Sequence, residues 1–221
     1  MNIYIVTSSL IPAGQQNPEL RFSETLETFK SIRKHDRESL IIMCDVSLKP
    51  WPTEWSDTIR GMVNVLIDFS NDVDIRPLCE TMQKSASEVV MLIKTLNVIK
   101  TNRFDVNADR IFKLSGRYTV EDGFDLSQHA HPEMFVFKKR NDTWMDPPRF
   151  GATHNLDTRF FSLCHTQLTG YIEILGQITR LLGYVDTEHA HFVCVPKTKL
   201  VELDRVYCTG RVASTNDIVH D

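Results

Sequence analysis

Ser115-Gly116-Arg117-Tyr118 follows an apolar segment, Arg110–Leu114, and joins three features that suit an anionic ligand. A glycine at a strand end lets a ligand approach the backbone, and an arginine offers a planar fork of donors to phosphate or carboxylate. Lys113 would face the same side of that strand as Ser115, because side chains alternate along a strand. The other reading of Arg117 is an ion pair with Glu121 or Asp122 across a turn. Lys84 and Ser85 open an amphipathic stretch, and a helix amino end attracts anions through its free amides. A lysine placed there gains from an anionic ligand, or else stands on a solvated face. Asp45 ends a second apolar run, where its carboxylate can accept hydrogen bonds from a base edge or a ribose, or cap the next turn. Thr7, Ser8 and Ser9 follow a third run, at the kind of strand end where open α/β sheets bind ligands.

The carboxylates and histidines give a second set. Glu188, within Thr187-Glu188-His189, is a candidate general base on a hydroxyl, provided its neighbours move its pKa toward working pH. Asp157 precedes Thr158 and Arg159 and is a further carboxylate for that half of the chain. His189 and His191, two apart, do not share a helix face; with an aspartate they could form a nitrogen and oxygen metal set, in no recognised ligand pattern. Asp72-Val73-Asp74 would point two carboxylates one way on an extended segment, which suits Mg²⁺ or Mn²⁺ bridging phosphates, although its place after the third strand favours an ordinary acidic loop. After the first strand only Gly14 occurs, several residues on, so no Gly-x-Gly-x-x-Gly fingerprint is present, and no Gly-Lys-Ser/Thr occurs for a P-loop.

These residues need strands and helices to bring them together. Residues 2–6, Leu40–Cys44, Met62–Phe69 and Arg110–Leu114 read as buried strands, and Pro18–His35 and Ser85–Lys100 as amphipathic helices. Trp51–Trp55 leads into a short helix, and Ser70–Gln83 reads as a polar loop. This alternation is the rhythm of a doubly wound sheet. In the second half, Glu133–Lys138, Phe150–Leu163, His191–Val195 and Lys199–Val206 read as strands, His165–Leu182 as a long helix, and Gly210–Asp221 as a mostly polar tail. With no repeat, low-complexity segment or linker, the chain is expected to form one domain, residues 1–221.

Composition narrows the function classes. The 221 residues are 42% apolar and 24% charged, with a formal charge of −4 and no long run of like charge, which excludes electrostatic binding to nucleic acid. No apolar run approaches the roughly 20 residues of a membrane span, and the amino terminus shows no basic signal region, so a cytoplasmic protein is expected. Cys44, Cys79, Cys164, Cys194 and Cys208 are odd in number and widely spaced, against both a disulfide framework and a thiolate zinc site.

Taken in order, four segments resemble a small nucleotide-sugar glycosyltransferase of the GT-A type, of the kind found in bacteria, phages and large DNA viruses. They are Ile5–Ser9; Arg21 with Thr25–Lys34; Ile41–Asp45; and Ile111–Tyr118, which together span about the first 120 residues. The resemblance implies a single-domain GT-A-like, Rossmann-like α/β fold with a mixed central sheet flanked by helices. Residues 1–120 would bind the nucleotide-sugar and 121–221 the acceptor and the catalytic base. Thr7, Ser8 and Ser9 would cradle the nucleotide, Asp45 would hydrogen-bond the base, most often uracil, and Arg21 and Lys84 would lie near ribose and diphosphate. The family's metal-binding Asp-x-Asp is replaced by Ser115-Gly116-Arg117, so Arg117 and Lys84 take over charge neutralisation unless Mn²⁺ or Mg²⁺ finds weaker ligands in Asp72, Asp74 or His189. Thr187-Glu188-His189 resembles the Thr-Glu-Asp segment that carries the acceptor base in inverting members; this makes Glu188 the base, with Asp157 and His189 beside the acceptor. The partners implied are a UDP-sugar donor and a glycan or glycoconjugate acceptor, in the host cytoplasm if the chain is virus-encoded. The competing expectations are a sugar-phosphate nucleotidyltransferase, disfavoured by the missing glycine-rich loop, and a non-catalytic nucleotide- or glycan-binding module.

Overall fold

The computed structural model describes residues 1–12, 17–81, 83–211 and 218–220. Gly14 and most of the polar tail lie outside the described residues. The first half runs β1 (Asn2–Ser8), α1 (Pro18–His35), β2 (Leu40–Asp45), α2 (Thr53–Arg60), β3 (Val65–Asp68), α3 (Arg76–Glu80), α4 (Lys84–Thr101), β4 (Arg110–Ser115) and β5 (Tyr118–Val120). The second half runs β6 (Phe135–Lys138), β7 (Asn141–Asp142), β8 (His154–Asn155), β9 (Phe160–Cys164), α5 (Leu168–Leu181), α6 (Thr187–Cys194), β10 (Leu200–Leu203), β11 (Cys208–Arg211) and β12 (Ile218–His220).

One mixed seven-stranded sheet, in the order β10-β6-β9-β4-β1-β2-β3, carries both halves. β4, β1, β2 and β3 are parallel, and β9 runs antiparallel between β4 and β6. β1, β2 and β4 are buried on both faces, which is why they read as continuous apolar runs rather than alternations. On one face α4, α5 and α6 cover Ile3, Ile5, Ile111, Phe161 and Leu163; on the other, α1 covers Tyr4, Met43, Phe112 and Leu114. Tyr4 and Phe112 stack at 4.6 Å between ring centroids on neighbouring strands. α1 starts where the Asn17 side chain accepts from the amides of Glu19 and Leu20 with Pro18 in the first turn, and it ends on Arg33, Lys34 and His35, which favour the negative end of the helix dipole. A second small sheet, β12-β11-β5, lies beside the carboxyl end of β4.

Several expectations change. Phe150–Leu163 is not one strand but two short ones, His154–Asn155 and Phe160–Cys164, and Lys199–Val206 shortens to Leu200–Leu203. His191–Val195 is not a strand: His191, Phe192, Val193 and Cys194 belong to α6, which Asp186 caps by accepting from the His189 amide. A short apolar run does not by itself separate a strand from a buried helical turn. Ser70–Gln83 contains α3, preceded by a turn in which Asp72 accepts from the amides of Asp74 and Ile75. The third strand begins only at Val65, because the amides of Met62 and Val63 finish α2 by donating to the Ile59 carbonyl. All five cysteines are free, and no helix among the described residues is long and apolar enough to cross a membrane.

Candidate active site

The carboxyl ends of β1 and β4 open a cleft walled by the starts of α1 and α4. Its floor exists because the two strand ends close tightly on each other. The Gly116 amide donates to the Thr7 carbonyl at 2.8 Å, and the Thr25 hydroxyl on α1 donates to the Gly116 carbonyl at 2.7 Å. A Cβ at position 116 would sit 3.2 Å from that Thr7 oxygen and 3.3 Å from the Val6 side chain, tighter than most real contacts, so any larger residue would push the two strand ends apart by a few tenths of an ångström. Thr7, Ser8 and Ser9 line one side of the cleft, and Ser115, Gly116 and Arg117 the other.

Three cations share this space. Arg21 reaches back from α1 and donates to the Ser9 carbonyl at 2.8 Å, while Arg117 donates to the Arg211 carbonyl at 2.9 Å. Burial, and then the like charge of Arg117, push the Arg21 guanidinium down to about 10. Lys84 stands on the first turn of α4, whose amide groups receive no side-chain cap among the described residues. Two guanidiniums held together, a lysine, and an uncapped helix amino end form a site whose natural complement is an anion.

One carboxylate lines the cleft itself, and the buried Lys113 and, through Thr158, Glu188 lie behind the lining residues. Glu88, which the sequence reading did not single out, lines the cleft from α4 and pairs with the buried Lys113 at 2.6 Å. The available signal was its spacing, four residues after Lys84 on the same helix face. Lys113 and Ser115 do share a side of β4: the Lys113 ammonium donates to the Ser115 hydroxyl at 3.0 Å and to the Thr158 carbonyl at 2.7 Å. The Thr158 hydroxyl in turn donates to Glu188 at 3.2 Å, in the first turn of α6. Burial, reinforced by Asp186 and Glu88, raises the Glu188 pKa above the usual carboxylate range.

Other sequence candidates lie elsewhere or are already engaged. Asp45 is fully buried; its two oxygens accept from the amides of Leu10 at 2.9 Å and Ser47 at 2.7 Å, so it ties the loops after β1 and β2 together behind the cleft instead of facing a base. Asp157 is held by the Arg159 guanidinium, which also lies over the Tyr118 ring. Both ring nitrogens of His189 are engaged, with Asp186 at 2.7 Å and the Thr143 hydroxyl at 2.8 Å, and no lone pair is left for a metal. Asp72 and Asp74 both bind Lys94 at 2.7 Å, which neutralises the Asp-x-Asp away from the cleft. Arg117 does not pair with Glu121 or Asp122, whose partners are Arg205 and Lys34. Among the described residues no three His, Cys, Asp or Glu side chains group as metal ligands.

The mixed sheet, the crossovers on both faces and the cleft at the carboxyl ends of β1 and β4 define a GT-A-like fold. Solved glycosyltransferases share it. Over 91% of this chain the structure is similar to GlyE of Streptococcus pneumoniae TIGR4 (TM-score 0.52, 12% identity, 44% of that chain) and to the bifunctional glycosyltransferase WbbM (TM-score 0.53, 9% identity, 38% of that chain). Over 96% it is similar to core-mannan synthase A of Aspergillus fumigatus, solved in its Mn/GDP form (TM-score 0.51, 10% identity, 74% of that chain). The chain thus spans less than half the length of the first two, and the likeness is one of fold. No family model and no curated protein sequence matches.

Proposed function

We propose that the chain transfers a sugar from a nucleotide-diphosphate donor, a UDP-sugar in the first instance, to a hydroxyl of a glycan acceptor. The observation that carries this reading is the convergence of Arg21, Arg117, Lys84 and the uncapped start of α4 on one cleft at the strand ends. That arrangement fits a diphosphate, and the serines and threonine of the β1 loop supply hydroxyls to the rest of the nucleotide. The transfer follows the inverting course. Glu188 takes the proton of the acceptor hydroxyl as its oxygen bonds to the anomeric carbon. The bond from that carbon to the phosphate oxygen breaks, and its electron pair leaves with the diphosphate. Arg117, Arg21 and Lys84 stabilise the charge that develops there. A carboxylate with a raised pKa is the better proton acceptor for this role.

The described side chains do not fit Mn²⁺ or Mg²⁺ as a resident ion. The strand end offers Ser115-Gly116-Arg117, with Arg117 a cation where a metal would need oxygen ligands, and both aspartates of the Asp-x-Asp are bound to Lys94. Charge neutralisation at the diphosphate therefore falls to the chain's own cations, Arg21, Lys84 and Arg117.

Thermal-shift measurements against UDP, GDP, CMP and TDP, each with and without Mn²⁺, test the reading, since a ligand that binds the native state raises its apparent stability. Stabilisation by a diphosphate together with sugar transfer or slow donor hydrolysis is expected. No shift with any nucleotide overturns it. Pyrophosphate release from a nucleoside triphosphate would make the chain a nucleotidyltransferase, and binding without turnover a non-catalytic module.

A further inference from the structure

Resting on that reading, we propose that Glu88 selects the donor by accepting a hydrogen bond from a hydroxyl of the sugar that is transferred. Glu88 lies four residues beyond Lys84 on α4, and both line the cleft. Four residues of helix rise about 6 Å. A diphosphate held at Lys84 and the α4 amino end therefore leaves the next group of the donor beside Glu88.

The carboxylate is built to accept. Its Oε1 takes both protein contacts, from the Lys113 ammonium at 2.6 Å and the Thr7 hydroxyl at 3.2 Å. Among the described residues Oε2 has no partner, and 35% of the side chain is exposed to the cleft. Burial works against ionisation of Glu88, but the Lys113 charge overrides it and holds the pKa below the usual carboxylate range. An ionised carboxylate can only accept, so the ligand group facing Oε2 must donate. Ionised phosphate oxygens do not; sugar hydroxyls do.

Lys113 explains how a negative group is tolerated beside a diphosphate. Only 3% of its side chain is exposed, and Glu88, Ser115 and Thr158 take its three protons. It has none left for a phosphate and serves to cancel the Glu88 charge. A buried ion pair seldom stabilises a fold more than apolar side chains of the same volume would. Its position behind the cleft lining, linked through Thr158 to Glu188, places it at the reacting end of the donor and not at the base.

Calorimetry with the pairs UDP and UDP-glucose, GDP and GDP-mannose, and TDP and TDP-glucose tests the assignment on the wild type and on Glu88→Gln. In the wild type at least one nucleotide-sugar is expected to bind more tightly than its diphosphate. In Glu88→Gln that preference should fall about tenfold, the usual scale for a hydrogen bond to a charged group, with diphosphate affinity kept within about threefold. Because Glu88→Gln leaves Lys113 without its counter-charge, the double variant Glu88→Gln/Lys113→Met removes both charges, and it should show the same selective loss of the sugar preference. Equal loss for diphosphate and nucleotide-sugar would make Glu88 part of the nucleotide site or the frame, and an unchanged preference would give it no role. Either result, or a wild type that does not prefer any sugar conjugate, overturns the assignment while nucleotide binding and the proposed function stand. A wild type that binds none of the six compounds overturns both.

Discussion

Arg117 and Glu188 carry opposite parts of the proposed chemistry, and their environments predict different consequences of removal. Among the described residues the Arg117 guanidinium makes one hydrogen bond, to the Arg211 carbonyl, and Arg117 lines the cleft. Arg117→Ala should weaken diphosphate binding about 10- to 100-fold, the scale of one or two charge-assisted bonds, and lower turnover by orders of magnitude. Its melting temperature should stay near the wild-type value. Wild-type binding and turnover in that variant would remove the strand-end cluster from the site. Glu188 is held in a place where its charged form is disfavoured, mainly by burial. A carboxylate whose folded pKa is raised supports the fold best below its unfolded pKa and loses that support as pH rises through the folded value. Glu188→Gln should therefore abolish transfer and yet raise the melting temperature at neutral pH, by a few degrees at most, since about 1 kcal/mol corresponds to roughly 2–4 °C in a chain of this size. Transfer by the wild type should fall on the acid side at a pH above the ordinary glutamate value, as the base becomes protonated. A variant that is both inactive and destabilised would assign Glu188 to the frame.

At the scale of elements, the cleft depends on strands brought unusually close. Gly116 does this between β1 and β4; Gly210 does it between β11 and β5. A Cβ at 210 would lie 2.3 Å from the Arg117 carbonyl oxygen and 2.5 Å from the Tyr118 ring, distances that real contacts do not reach. Backbone atoms cannot yield as a flexible side chain can. Gly210→Ala should thus cost about 1–3 kcal/mol, seen as a lowered melting temperature, and should also weaken nucleotide binding because the displaced backbone carries Arg117. The contrast with Arg117→Ala, which loses binding without stability, separates positioning from contact. The elements also show where sequence patterns sufficed. β1, β2, β4, α1 and α4 form over runs whose burial on both sheet faces or on one helix stripe was already visible in residue order. α6 did not, because Ala190–Cys194 is too short for its period to be read and its start is set by a side-chain cap from Asp186.

The two halves of the molecule are joined in the main sheet, where β9 of the second half pairs antiparallel with β4 of the first. Two histidines that should govern acid stability, His129 before β6 and His191 on α6, pack against aromatic side chains of these strands. His129, enclosed by Phe112, Phe124 and Phe160, is pushed down to about 3 by burial and then by Arg110. His191, bonded to the Tyr171 hydroxyl and the Thr187 carbonyl, is pushed down to about 4, chiefly by burial. Both are neutral in the fold and take up a proton near 6.5 when unfolded, so the stability they contribute is whole above pH 6.5 and is lost as pH falls toward 4 and 3. Asp45 and Glu188, raised by burial, act in the other sense and return some stability as they protonate. Denaturant unfolding at pH 7.5 and pH 5 should show a loss that shrinks by about 2 kcal/mol for each of His129→Gln and His191→Gln. A loss unchanged in both variants would place the acid sensitivity elsewhere.

Residue order by itself determined the parallel core, the strand ends that carry Thr7, Ser8, Ser9 and Ser115–Arg117, the lysine at the start of α4, and the unpaired cysteines. Each of these follows from local rules of period, turn chemistry and charge, which act between near neighbours in the chain. Only the tertiary structure decided which charges are free to act. It spent Asp72, Asp74, Asp157 and His189 on Lys94, Arg159, Asp186 and Thr143, withdrew Asp45 behind the cleft, and joined Glu88 to Lys113, 25 positions away on the next strand of the sheet. The reason is that desolvation and pairing depend on distances through space. A carboxylate becomes a base, a cap or half of an ion pair according to what the fold sets against it.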